Sequence, residues 1–169
     1  LDIETALMKV WIYDLFSDRN THLSPDMLDS NRFVINWAAA WLDMDLNIKR
    51  MFSAVVNTKE AVKSNDKNIL RPLFDLMDAA DYIRGHNSKG FDVKILKWRF
   101  LFHGWGYPSQ FKQIDTLSLA RQTKPESRSL DFMLKELGHE GKRHELGREE
   151  WKEIVEHGTP RLLNQSNRY

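Results

Sequence analysis

Apolar positions along this chain follow two rhythms, one in each half. In the first half they cluster in short, strand-like runs. Residues 1–6 read as the end of a strand. Residues 9–16 (KVWIYDLF), rich in aromatic and β-branched side chains, read as a second strand. Residues 33–42 (FVINWAAAWL) are almost continuously apolar, the pattern of a strand buried on both faces. Residues 48–56 (IKRMFSAVV) follow a turn-like stretch at 43–47 and are either the hairpin partner of that strand or its continuation. Between the second and third strands, residues 21–31 carry Pro25, Asp26, Asp29 and Asn31 and read as a loop with at most a helical turn.

From residue 66 the rhythm changes to steps of three and four. Ile69, Leu70, Leu73, Phe74, Met77 and Ala80 share one face of a helix over residues 66–80. Pro72 conflicts with that helix unless it falls near the first turn. Residues 82–85 are a short strand, 91–102 a second amphipathic helix closed by His103-Gly104, 111–115 another strand and 116–122 another helix. Leu130, Met133, Leu134 and Leu137 form an apolar helical face that ends at Gly138. Residues 148–157 form a helix with Glu149 and Glu150 in its first turn and His157 at its end, a charge order that suits the helix dipole. Thr159-Pro160 opens the last helix with a capping residue and a proline at the first position. Strands dominate early, helices late, and the two alternate between. The expectation is one α/β domain over residues 1–169, with a central mixed sheet flanked by helices.

Composition narrows the class. Cysteine is absent, which excludes disulfide frameworks and thiolate metal sites and favours a reducing, cytoplasmic setting. No apolar run approaches the roughly 18 residues needed to cross a bilayer, and no signal peptide is visible. The chain starts at Leu1, directly before an acidic motif, and reads as a piece trimmed at both ends. Charge is uneven: residues 1–83 carry 9 Lys and Arg against 13 Asp and Glu, whereas residues 84–169 carry 16 against 11. A basic second half suits a polyanionic partner, and equally a solvated surface with none.

The candidate chemistry lies in carboxylates. Asp2 and Glu4 are two apart, so on a strand they point to one face, roughly 6.5–7 Å apart. Two such carboxylates can bracket a hard cation such as Mg²⁺ or Mn²⁺, and an exposed strand end carries the same pattern by chance. Asp92 stands at a helix start, where the dipole stabilises an acid and where α/β folds gather their sites at the strand ends. His86 and Asn87 either close the turn before it or contact substrate. Asp115 reads as a helix cap rather than a ligand, and Ser129 before Leu130-Asp131 likewise. Trp98 and Trp105 have the surface to stack on bases, although Trp98 reads better as a core or groove filler. Arg121, Lys124 and Arg128 are phosphate contacts or a solvated face.

LDIETA at residues 1–6, RGHNSKGFDVKIL at 84–96, IDTLSLAR at 114–121, SLDFMLKELG at 129–138 and the terminal Tyr169 together resemble, in that order, the DEDD superfamily of 3′–5′ exonucleases. The likeness is nearest to stand-alone bacterial and phage proteins related to polymerase proofreading domains. It implies a ribonuclease H-like fold and a two-metal Mg²⁺ or Mn²⁺ site that releases nucleoside monophosphates from the 3′ end of DNA, single-stranded by preference. It assigns the first motif to Asp2 and Glu4 and the second to Asp92. Tyr169 becomes the tyrosine of the Tyr-x-x-x-Asp third motif, whose acid falls at position 173, past the last residue given. In that scheme Asp2 bridges both ions, Glu4 holds the first near the 3′-hydroxyl, Asp92 holds the second through water, and Tyr169 orients the attacking water. Ile3, Thr5, His86, Asn87, Phe91 and Leu130 are the implied substrate contacts. Two alternatives share the fold: a ribonuclease, and a non-catalytic nucleic-acid-binding or polymerase-associated module.

Overall fold

The long apolar run becomes the central strand. The computed structural model describes residues 1–6, 9–10, 28–30, 32–141 and 146–166. In chain order the strands are β1 (Asp2–Thr5), β2 (Lys9–Val10), β3 (Leu28–Ser30), β4 (Val34–Leu42), β5 (Ile48–Val55), β6 (Tyr82–Gly85) and β7 (Lys112–Asp115). The helices are α1 (Thr58–Val62), α2 (Lys67–Asp78), α3 (Asp92–Phe102), α4 (Thr116–Thr123), α5 (Leu130–Glu136), α6 (Arg148–His157) and α7 (Pro160–Ser166).

β4 pairs antiparallel with β1 on one side and β5 on the other. Residues 48–55 are therefore the hairpin partner of β4. The turn closes because Asp43 Oδ1 accepts the N–H groups of Asp45 and Asn47. The register sets Glu4 opposite Asn36 and Asp2 opposite Ala38, with Val55 and Ser53 beyond. Directly opposed side chains share a face, so these six residues form two rows on one side of the sheet. Ile3, Trp37 and Ala54 form a row on the other side, facing the core.

β6 and β7 pair in parallel, with α3 as the crossover between them. The single mixed sheet expected from the sequence thus takes the form of an antiparallel three-stranded sheet and a parallel pair. They meet where the Leu1 amino group donates to the Arg84 carbonyl at 3.1 Å. Gly85 is needed at this junction: a Cβ there would come within 2.7 Å of Ser88 Cβ and 3.0 Å of the Leu1 carbonyl oxygen. β2 and β3 form a separate antiparallel ladder. Leu28–Ser30 is therefore strand where the sequence suggested loop, and the rest of the expected second strand lies outside the described residues.

α2 covers the core face, burying Ile69, Leu70, Leu73, Phe74 and Met77. Each such side chain contributes roughly 1.5–3 kcal/mol when fully buried. Trp37 Nε1 donates to the Ile69 carbonyl at 2.7 Å. Pro72 sits inside α2, beyond its first turn. It is tolerated because Pro72 and Asn68 are both exposed, so the Asn68 carbonyl that loses its helical partner faces water.

α3 packs Val93, Leu96 and Phe100 into the same core and adds a buried ion pair. Asp66, fully buried before α2, does not cap that helix. Its Oδ2 accepts from Val34 N (2.8 Å) and Arg99 Nε (2.8 Å), and its Oδ1 accepts from Arg99 Nη2 (2.6 Å). His103 Nε2 lies 2.7 Å from Oδ1. This cluster joins the starts of β4 and α2 to the far end of α3. By contrast, α5 has the expected apolar stripe but buries none of it, and Leu137 is 70% exposed.

Candidate functional site

β1 supplies the first carboxylates. Its alternation sends Ile3 into the core, 4% exposed, and leaves Asp2 exposed and Glu4 half-buried on the opposite face. The Ile3 side chain, expected among the substrate contacts, is core, and its N–H is donated to Asp92. Thr5, at the end of the strand, is half-buried.

α3 supplies the next acid. Phe91 is its N-cap residue and Asp92 its first residue. Asp92 is buried, and one carboxylate oxygen accepts the Ile3 N–H at 3.2 Å across a separation of 89 residues. Asp92 is pushed up to about 6. Burial is the largest cause, and the negative charge of nearby Asp2 adds to it; the N–H groups of Asp92 and Ile3 and the Leu1 amino group pull the other way. The sequence-separated acids Asp2 and Asp92 therefore share one electrostatic environment.

The turn from 86 to 91 is built to deliver α3 there. Asn87 takes the left-handed conformation (φ 60°) and its carbonyl accepts from Gly90 N and Phe91 N. Asp115 holds the turn from below, accepting from Asn87 N (2.9 Å) and Lys89 N (3.0 Å), and caps α4 through Leu117 N (3.0 Å). Burial would raise Asp115, but these N–H bonds and one from Ser118 outweigh it and hold the carboxyl below the usual range. Asp115 is a structural cap, as its position before α4 suggested. Ser129 caps α5 by accepting from Phe132 N at 3.2 Å.

His86 is held at both ring nitrogens, with Nδ1 2.9 Å from Thr116 Oγ1 and Nε2 3.0 Å from the Arg128 carbonyl oxygen. The carbonyl can only accept, so Nε2 carries the proton and, in the neutral ring, Nδ1 accepts from the hydroxyl. The ring links the α3 turn to the loop before Leu130. Leu130 and Phe91 are each 39% exposed. Ser88 is fully buried in this turn, and its hydroxyl has no hydrogen-bond partner among the described residues.

α7 arrives from the other side. Asn36 Nδ2 donates to the Ser166 carbonyl (2.9 Å) and to Ser166 Oγ (2.8 Å). Asn36 stands opposite Glu4, so the end of α7 lies over the Glu4 row. Sequence reading assigned neither residue to the site, although a lone Asn inside an apolar strand is a visible signal. Tyr169 lies outside the described residues.

Among the described residues, no group of three or more His, Cys, Asp or Glu stands close enough to hold a metal ion. The donor chemistry nevertheless fits a hard divalent cation: Asp2 and Asp92 are oxygen donors whose charges repel, and Glu4 shares the face of Asp2. A cavity of about 670 Å³ lies elsewhere, on the Ile3 side of the sheet, lined by Trp41, Phe52, Leu76, Tyr82 and Ile114 among others and by none of the three acids. No helix among the described residues is long and apolar enough to cross a membrane. The architecture is mixed α/β with a carboxylate-bearing strand edge. No family model matches the chain, and no curated protein matches it either.

Proposed function

We propose that this protein is a metal-dependent 3′–5′ exonuclease of the DEDD superfamily with a ribonuclease H-like fold, acting on single-stranded DNA ends. One observation carries the reading: Asp92, from a helix 90 positions along the chain, meets β1 beside Asp2 and feels its charge. Further support comes from the antiparallel β5-β4-β1 set abutting the parallel β6-β7 pair, and from α7 ending over Glu4.

In this reading Asp2 and Asp92 supply oxygen ligands, with Glu4 beside them. Bound Mg²⁺ or Mn²⁺ would supply an activated water and stabilise charge on the leaving oxygen. The turn at 86–91, exposed except around Ser88, is tied to Asp115 through the Asn87 and Lys89 N–H groups, so the start of α3 is held before any cation arrives. Asp2 is exposed and leaves the site open to a strand terminus.

The test is digestion of a 5′-labelled single strand by the full-length protein with Mn²⁺. A ladder shortening from the 3′ end, lost in Asp2→Ala, is expected. Internal cuts would point to an endonuclease. Undiminished activity in Asp2→Ala would refute the assignment.

A further inference from the structure

α3 leaves the candidate site with an unusual outer face. Between Arg84 and Lys124 the chain carries eight Lys and Arg and only two acids, Asp92 and Asp115, both buried. Arg99 is buried against Asp66, so the segment offers solvent seven cations and no carboxylate of its own. Asp78, which reaches it from α2, is engaged by the N–H and hydroxyl of Ser109. Aromatic rings are interleaved with these cations. Trp98 is 63% exposed, Phe102 56% and Tyr107 64%. The sequence suggested Trp98 as a filler, and its exposure corrects that.

Lys94, Trp98 and Phe102 follow at four-residue steps, so they form one stripe along the helix. Lys97 runs beside it, its Nζ 5.7 Å from the Tyr107 ring centroid and 5.5 Å from that of Phe111. An apolar stripe alone suits many partners. A stripe of exposed rings beside cations, on a segment whose two acids are buried, suits a polyanion with flat bases.

We infer that the outer face of α3, with the Tyr107 loop, is a track for single-stranded nucleic acid, its bases stacking on Trp98, Phe102 and Tyr107 and its phosphates facing Lys94 and Lys97. The inference deepens the proposed nuclease reading, yet it is measurable without hydrolysis. The stripe runs from Lys94 to Phe102 within the 11-residue α3, about 12 Å, and its Lys94 end lies in the same turn of the helix as Asp92.

The experiment is fluorescence anisotropy of a labelled 20-mer of deoxythymidine with the full-length protein in EDTA. Trp98→Ala and Phe102→Ala should each weaken binding about 5- to 100-fold. Lys94→Gln with Lys97→Gln should lower the slope of log affinity against log salt by about 1.4. Melting temperatures should hold, because these side chains are exposed. Unchanged affinity in all three variants, or no binding by the parent protein, overturns the track and leaves the face to a protein partner. Failure of the nuclease reading looks different: no hydrolysis with Mn²⁺, while Trp98→Ala still loses binding.

Discussion

Two buried aspartates meet the same helix at opposite ends, and they live under opposite conditions. Asp66, at the far end of α3, is matched by the Arg99 fork, the Val34 N–H and His103. Asp92, at the near end, has the Ile3 N–H and its own first-turn amide for company, and a second carboxylate nearby. The first is a satisfied charge and works as scaffold. The second has fewer partners and a like charge nearby, which is where we propose that a cation binds.

The comparison breaks most sharply at Arg99. Arg99→Met strands the Asp66 charge in the interior and should cost about 3–5 kcal/mol, read as a lower midpoint in urea. A loss below about 1 kcal/mol would mean that the cluster is not scaffold. Asp2→Ala should leave that midpoint nearly unchanged while weakening Mn²⁺ binding and hydrolysis by about 100-fold.

Asp92 sharpens the contrast because its effect has the opposite sign. Its folded pKa of about 6 lies above the usual 3.8, so the folded state binds the proton more tightly. The stability it confers is complete below pH 4 and is lost as pH rises through 6. Asp92→Asn should therefore stabilise the metal-free protein at pH 7, by about 1–2 kcal/mol once partial solvent access is allowed for, or roughly 2–8 °C in melting temperature. The gain should vanish at pH 4. A destabilised variant at pH 7 would place Asp92 with Asp66 as scaffold.

Smaller effects bound the picture. Ser166→Ala removes one of two acceptors from Asn36 and should cost about 1 kcal/mol. It should also lower activity if α7 organises the Glu4 row. Asn57→Ala, which breaks the α1 capping box with Glu60, should cost about 0.5–1 kcal/mol and leave Mn²⁺ binding untouched.

Much of this was legible before the coordinates. α6 and the start of α7 fall where their caps and charges put them, because those signals are local. The approach of α3 to β1, seen in the bond from Ile3 N–H to Asp92, joins two segments that the resemblance had grouped. The Asp66 cluster was not legible: residue 66 reads as the start of an amphipathic helix, and its partner, Arg99, is 33 residues on. α1 is five residues long, too short for periodicity, and the sequence reading passed over it; its capping box of Asn57 and Glu60 is the local signal that was there to be used. Trp98 and the α5 stripe show the limit of apolar patterning, which finds a face but not what covers it.

The central claim is that Asp2 and Asp92 form one cation-binding pair. Carboxyl ¹³C NMR titration of Asp92, with and without Mg²⁺, tests it most directly. The expected midpoint without metal is about 6, falling well below that when Mg²⁺ is added. A midpoint near 4 that ignores Mg²⁺ would contradict the claim.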